Sequence, residues 1–156
     1  MRTPLHPEKP IFEYNYIDDG IYIGTNQCCQ THFNEMLLKE GITSDFSLEK
    51  DKIDQPFGAD YYIWVPIENH TAPTQKQLDF SVETLDRLVK SKDKVYLHCQ
   101  NGHGRAPTIA VAYFIKTRDM SVDDAIAFVK DKRPTMHIAD TQKNALQEYY
   151  KRVHKK

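Results

Sequence analysis

The strongest chemical signal in the sequence is a cysteine and an arginine separated by five residues, two of them glycines, in Cys99-Gln-Asn-Gly-His-Gly-Arg105. Glycine reaches backbone angles that are closed to other residues, so a loop of this length can turn successive N–H groups toward one point. Such a loop forms a cradle for a tetrahedral anion, and the planar guanidinium of Arg105 can bind two phosphoryl oxygens. The segment therefore predicts a phosphate-binding loop with Cys99 as its nucleophile.

The elements on either side of this segment favour the same chemistry. Residues 94–98 are typical of a short apolar strand, and the apolar residues 109–115 are typical of a helix. The free amide groups and the positive dipole end of a helix N-terminus stabilise an anion below the loop, and they equally stabilise a thiolate at Cys99. A zinc site formed by His98, Cys99 and His103 is disfavoured, because no fourth ligand follows at zinc-like spacing.

The remaining pattern alternates strands and helices. Thr74-Gln-Lys-Gln77 matches a capping box, and Asp18-Asp19-Gly20 is typical of a hairpin turn. We expect strands at 14–17, 20–24, 42–48, 60–67 and 94–98, and helices at about 28–40, from 75, from 109, from 122 to 132 and from 140 or 141. This order predicts one α/β domain with a central, mainly parallel twisted sheet of four to five strands flanked by helices.

Composition excludes several classes of protein. With 156 residues, 28% charged side chains and a net charge of -1, the chain has no global field that would attract nucleic acid or anionic lipid. Three prolines in the first ten residues predict a flexible tail at 1–11, with the folded domain at 12–156. The odd number of cysteines predicts a reducing, cytoplasmic location, and we expect a monomer. Cys28 and Cys29 are interpreted as the start of a packed helix, and a redox partnership with Cys99 stays open.

The segment His98-Cys-Gln-Asn-Gly-His-Gly-Arg105 resembles the His-Cys-x5-Arg signature of the protein tyrosine phosphatase superfamily, and most of all its compact dual-specificity branch. Residues 19–24 are similar to the family's opening strand, residues 61–73 to its general-acid loop, and Arg133-Pro134 to its ending before the last helix. The resemblance implies that Cys99 attacks phosphorus to form a cysteinyl-phosphate, that Arg105 binds the phosphoryl oxygens, and that His98 tunes the thiolate.

The same resemblance implies a phosphorylated protein as substrate, with no metal or organic cofactor. Phosphate binding is then expected from the residues of the loop, namely Gln100, Asn101, Gly102, His103, Gly104 and Arg105.

Two positions depart from the family pattern. Asn69 stands where relatives have the acidic residue that protonates the leaving group, and an asparagine has no proton to give. Glu68 is the expected substitute if the loop shifts, and His70 can contribute as an imidazolium. Ala106 replaces a hydroxyl residue that assists departure of the cysteine, a role that Thr108 could take over.

These departures leave a second hypothesis, a pseudophosphatase or phosphate-binding module with weak turnover. A third hypothesis, a cysteine hydrolase of acyl substrates, is disfavoured because Arg105 and the glycine cradle have no role in it.

Overall fold

The first two strands form the hairpin that the sequence predicts. The computed structural model describes residues 12–26 and 35–154. Strand β1 (Tyr14–Asp18) pairs antiparallel with β2 (Ile21–Gly24) across a two-residue turn. Asp19 and Gly20 both have left-handed backbone angles, with φ of 56° and 82°. A turn of this kind matches the twist of the strands it joins, and Asp-Gly is one of its preferred sequences.

The described part of the chain forms a sheet of five strands in the order β1-β2-β5-β3-β4, where β3 is Ile42–Glu49, β4 is Tyr61–Ile67 and β5 is Lys94–His98. The last four strands of this order run parallel to one another, and only β1 is antiparallel. The predicted mainly parallel sheet is confirmed. Because parallel strands end at one edge of a sheet, the loops after β2, β3, β4 and β5 meet there.

Within the described residues, five helices cover the sheet: α1 (Glu35–Lys39), α2 (Gln75–Lys90), α3 (Arg105–Thr117), α4 (Val122–Lys132) and α5 (Asp140–Val153). The predicted capping box is confirmed, since the hydroxyl of Thr74 accepts from the N–H of Gln77, whose side chain accepts from the N–H of Thr74. Only residues 35–39 of the helix predicted at 28–40 are described, and Cys28, Cys29 and the predicted tail at 1–11 lie outside the described residues. None of the described helices is both long and apolar enough to cross a bilayer.

Alternation along the strands divides the core between the two faces of the sheet. On one face, residues such as Ile23 and Leu97 pack in the large core with helices α2 to α5. On the other face, Tyr22 and Tyr96 pack with Leu37 of α1. Helix α3 lies inside the large core, and all its residues from 105 to 115 are buried. The helix begins four residues before the apolar segment seen in the sequence, directly at the end of the loop that follows β5.

Candidate active site

The loop of residues 99–104, which joins β5 to α3, has its carbonyl groups bound on its outer side. Each of four successive carbonyl oxygens accepts a hydrogen bond from a group outside the loop. The pairs are Asn26 N with Gln100 O (3.2 Å), Arg133 Nη2 with Asn101 O (3.0 Å), Arg133 Nε with Gly102 O (2.7 Å) and His137 N with His103 O (2.6 Å). In a trans peptide the N–H points opposite to the C=O. The N–H groups of residues 101–104 are therefore directed to the inner side, and none donates to another described residue.

Gly102 is required by the close packing behind this loop. Its φ is +70°, and a Cβ built there would lie 2.7 Å from the carbonyl oxygen of Gly24 and 2.6 Å from Nη2 of Arg133. A side chain would thus meet backbone on one side and a buried guanidinium on the other. The sequence predicted a glycine with special backbone angles in the loop, and this position has them.

Cys99 lies beneath a pocket of about 250 Å³ and is only 2% exposed. Five of the six residues predicted to bind phosphate line this pocket, and Gly102 is the exception. Of the residues predicted to act in catalysis, Glu68 and His98 do not line it. Three lining residues come from the segment after α4 and were not found by sequence reasoning. The pocket is lined by Asn69, His70, Cys99, Gln100, Asn101, His103, Gly104, Arg105, His137, Ala139 and Gln142.

Arg105 is buried and anchored along one side. Its Nη1 donates to the carbonyl oxygen of Ile67 at 2.8 Å and makes a longer contact of 3.4 Å with that of Leu48. Its Nη2 lies 3.9 Å from Glu49 Oε1, and Asn26 holds the other oxygen of this carboxylate. Nε has no acceptor among the described residues. The guanidinium is thus fixed at the pocket wall with donor capacity left for an anion.

The segment after β4 forms a tight turn that separates the three candidates for proton donation. The carbonyl oxygen of Glu68 accepts from both N and Oγ1 of Thr71, at 3.1 and 2.6 Å. Asn69 and His70 line the pocket, whereas the side chain of Glu68 is exposed outside the lining. His70 has φ of 67°, a left-handed angle that is uncommon for a residue other than glycine and concentrates at functional sites.

The hydroxyl of Thr108 does not face the pocket. It donates to the carbonyl oxygen of Gly104 at 2.7 Å, one helical turn earlier. Ala106 is fully buried in the first turn of α3. The hydroxyl that could replace the one missing at position 106 is therefore already bound within the helix.

His98 lies in a buried group with two carboxylates. Its Nε2 is 2.8 Å from Asp45 Oδ1 and 2.9 Å from Asp54 Oδ2. Burial by itself lowers the pKa of His98, but the two carboxylates raise it to well above the ordinary value of 6.5. Burial also raises the pKa of Asp45 to about 7. The two carboxylates therefore favour the protonated form of His98, in the strand that leads directly into Cys99.

Asp45, Asp54 and His98 are also the one group of side chains in the described ranges close enough together to hold a cation. The distances from Nε2 to the carboxylate oxygens are those of hydrogen bonds, so a proton is sufficient to explain the arrangement. Cys99 and His103 do not belong to this group. A carboxylate within a buried strand, as at Asp45, was the available sequence signal for this cluster.

Comparisons with known proteins agree with this geometry. Residues 21–152 match the family model described as "Dual specificity phosphatase, catalytic domain". Human dual specificity protein phosphatase 1 is 30% identical over 132 residues, which are 84% of this chain and 35% of that protein. Human dual specificity protein phosphatase 8 is 43% identical over 76 residues, 48% of this chain and 12% of that protein. The chain thus spans about a third or less of the length of these two relatives.

Solved structures extend the agreement to the whole fold. Human DUSP28 superposes with a TM-score of 0.79 at 19% identity, covering 89% of this chain and 96% of that one. Tk-PTP in its active form gives a TM-score of 0.76 at 25% identity, covering 90% of this chain and 97% of that one. The match of the family model over most of the chain, on a sheet and loop with this geometry, establishes the membership: the chain belongs to the dual specificity phosphatase catalytic-domain family.

Proposed function

We propose that the chain is a cysteine-dependent protein phosphatase that hydrolyses phosphotyrosine, phosphoserine or phosphothreonine through a cysteinyl-phosphate. The observation that carries the proposal is the loop whose four carbonyls are bound on its outer side, since this directs four N–H groups toward the pocket above Cys99. Together with the guanidinium of Arg105, these donors match the three oxygens of a phosphoryl group. Membership of the phosphatase family favours this function over a phosphate-binding module without turnover.

The reaction has two displacements at phosphorus. The thiolate of Cys99 attacks phosphorus, the bond from phosphorus to the ester oxygen breaks, and that oxygen leaves with a proton from the protein. Water then attacks the cysteinyl-phosphate and returns a proton to the group that donated one in the first step, the S–P bond breaks, and inorganic phosphate and the thiolate are released. Charge on the phosphoryl oxygens is stabilised in both steps by the loop N–H groups and Arg105. His98 stands directly before Cys99 and is hydrogen-bonded to Asp45 and Asp54, and we propose that it tunes the thiolate by positioning the cysteine.

Proton donation to the leaving oxygen is assigned to the turn after β4. Asn69 lines the pocket but has no acidic proton, and Glu68 lies outside the lining. His70 lines the pocket and its side chain can act as a general acid, so we propose His70 as the donor ahead of Glu68.

The pocket itself supports a proposal about the substrate. Gln100, Asn101 and His103 occupy its wall, and no lysine lines it among the residues that the structure describes. This lining suits one phosphoryl group on a protein more than a highly anionic lipid headgroup. We propose that the chain acts as a monomer in the cytoplasm on phosphorylated proteins, without nucleic acid, membrane, metal or organic cofactor.

Steady-state hydrolysis of an aryl phosphate and of phosphotyrosine and phosphoserine peptides tests the function, with Cys99→Ser as the inactive control. Turnover that Cys99→Ser does not abolish would refute the mechanism. A burst of one product equivalent without steady turnover would favour the phosphate-binding alternative.

The donor is tested through leaving-group dependence. His70→Asn should slow hydrolysis of alkyl phosphates by roughly 10²–10⁴-fold and that of activated aryl phosphates far less, because only alkoxides need protonation. Glu68→Gln is the matched comparison at the preceding residue, and a larger effect there would assign the donor to Glu68. Asn69→Asp should raise turnover of alkyl phosphates selectively. If none of the three variants changes the leaving-group dependence, residues 65–73 are not the acid loop.

A further inference from the structure

We propose that Arg133 is a positioning residue for phosphate binding, and that it makes phosphate affinity depend on Glu13 in front of the first strand. The inference rests on the proposed role of the loop at 99–105. Arg133 ends α4 and is fully buried, although it is one of the largest and most polar side chains in the chain. It does not line the pocket and therefore cannot act by touching substrate.

The guanidinium of Arg133 holds two adjacent loop carbonyls. Nε donates to Gly102 O at 2.7 Å and Nη2 donates to Asn101 O at 3.0 Å. Each bond fixes one peptide plane and thereby directs the following N–H group, of Gly102 or His103, to the inner side of the loop. If these planes rotated, carbonyl oxygens would face the phosphate dianion in place of N–H donors. Arg133 therefore determines half of the four peptide orientations on which the site depends.

The other side of the guanidinium is bound by the N-terminal part of the chain. Nη1 donates to Glu13 Oε1 at 2.9 Å and to Asn15 Oδ1 at 2.7 Å, and Nη2 donates to Glu13 Oε2 at 2.8 Å. With the two loop carbonyls, these acceptors use all five N–H donors of an arginine. The carboxylate of Glu13 compensates the buried charge of Arg133 and aligns its plane, so the pair acts on the loop as a unit.

Lysine cannot replace this arrangement, because a single ammonium cannot reach two loop carbonyls and a carboxylate in one plane. The requirement for an arginine thus follows from geometry and not from charge alone. A variant with lysine keeps the charge and removes the fork, which separates the two contributions.

The experiment is titration of inorganic phosphate by isothermal calorimetry, together with kcat and KM for an aryl phosphate, on Arg133→Lys, Arg133→Met and Glu13→Gln. We expect the phosphate Kd and KM to rise on the order of tenfold or more in both Arg133 variants and by a smaller factor in Glu13→Gln, because two backbone donors are misdirected.

Arg118→Met is the matched control. Arg118 also joins a helix to the β1–β2 hairpin through ion pairs, at 3.0 Å to Asp18 and 2.9 Å to Asp19, but it does not contact the loop. Its variant should lose stability without a change in phosphate Kd.

The inference would be overturned if the Arg133 variants and Glu13→Gln bound phosphate with an affinity within about twofold of the wild type, whatever their stability. If both Arg133 variants fail to fold, Glu13→Gln still decides, because its exposed carboxylate is 44% accessible and its replacement is isosteric. Failure of the wild-type protein to bind phosphate would overturn the proposed function together with this inference. Binding by the wild type and equally by the variants would overturn the inference alone.

Discussion

Replacement of Gly102 by alanine tests how closely the loop is packed against the sheet. Two effects act at this position. Alanine disfavours the φ of +70°, and its Cβ would lie within 3.0 Å of the Gly24 carbonyl oxygen and the Arg133 guanidinium. Neither neighbour can retreat freely, because the first is backbone of β2 and the second is held by five hydrogen bonds.

The two effects can be given magnitudes. A left-handed backbone angle destabilises a residue with a Cβ by about 1–2 kcal/mol. Inserting a methyl group into a packed region adds roughly 1–3 kcal/mol. The expected loss is therefore about 2–5 kcal/mol, which a domain with a stability of about 5–15 kcal/mol can survive while still folded. The loop should change conformation before the sheet does. We therefore expect a large fall in kcat/KM while most of the free energy of unfolding is kept.

Gly41→Ala separates the two effects. Gly41 has a similar φ of +85°, but a Cβ there would first meet the flexible end of Lys94 at 3.6 Å. This variant should show only the backbone loss of about 1–2 kcal/mol, with unchanged turnover.

Urea unfolding and kcat/KM for an aryl phosphate measure both variants. The excess loss in Gly102→Ala should appear as a lower unfolding midpoint and a fall in kcat/KM of at least tenfold. If Gly102→Ala matches Gly41→Ala in stability and in turnover, the loop is not packed as described.

Three further predictions concern the site. Arg105→Lys should nearly abolish turnover with little loss of stability, because charge is kept but the fork is lost; near-normal turnover would place Arg105 outside the site. Cys99 should react with iodoacetate near pH 6 while the other two cysteines stay slow, and equal rates for all three in the folded protein would contradict an activated nucleophile. Burial raises the pKa of Asp45 to about 7, so the folded chain keeps a proton that the unfolded chain loses, and the urea midpoint should fall as pH rises from about 4 to about 7. His98, with a pKa well above 6.5, continues this loss at higher pH. A midpoint that rises from about pH 4 to about pH 7 would contradict the assignment of Asp45, and one that rises at higher pH would contradict that of His98.

Features of the fold that depend on neighbouring residues could be predicted from the sequence. The Asp19-Gly20 turn and the box that begins at Thr74 are local, since each is built from residues within a few positions of one another. The order of strands and helices likewise predicts the parallel sheet, and the loop with its two glycines predicts the cradle.

The parts of the site that could not be predicted depend on contacts between distant segments. Arg133 reaches Glu13 across 120 positions, and His98 reaches Asp54 across 44. The sequence indicates that Arg133 ends a helix, but nothing near it indicates which carbonyls its side chain will bind. The donor of the leaving-group proton raises the same difficulty, because whether Glu68 or His70 faces the pocket is decided by a single turn with a left-handed residue.

The edge position of β1 has a consequence for the choice of a minimal expressed fragment. The family model begins at residue 21, but β1 is the strand that covers the outer side of β2. A fragment cut at that boundary would present β2 as a new sheet edge with unpaired N–H and C=O groups, a known route to aggregation. It would also remove Tyr14, whose ring packs edge-on against Tyr22 and Tyr96. The shortest soluble fragment is therefore expected to extend well upstream of the boundary drawn from similarity.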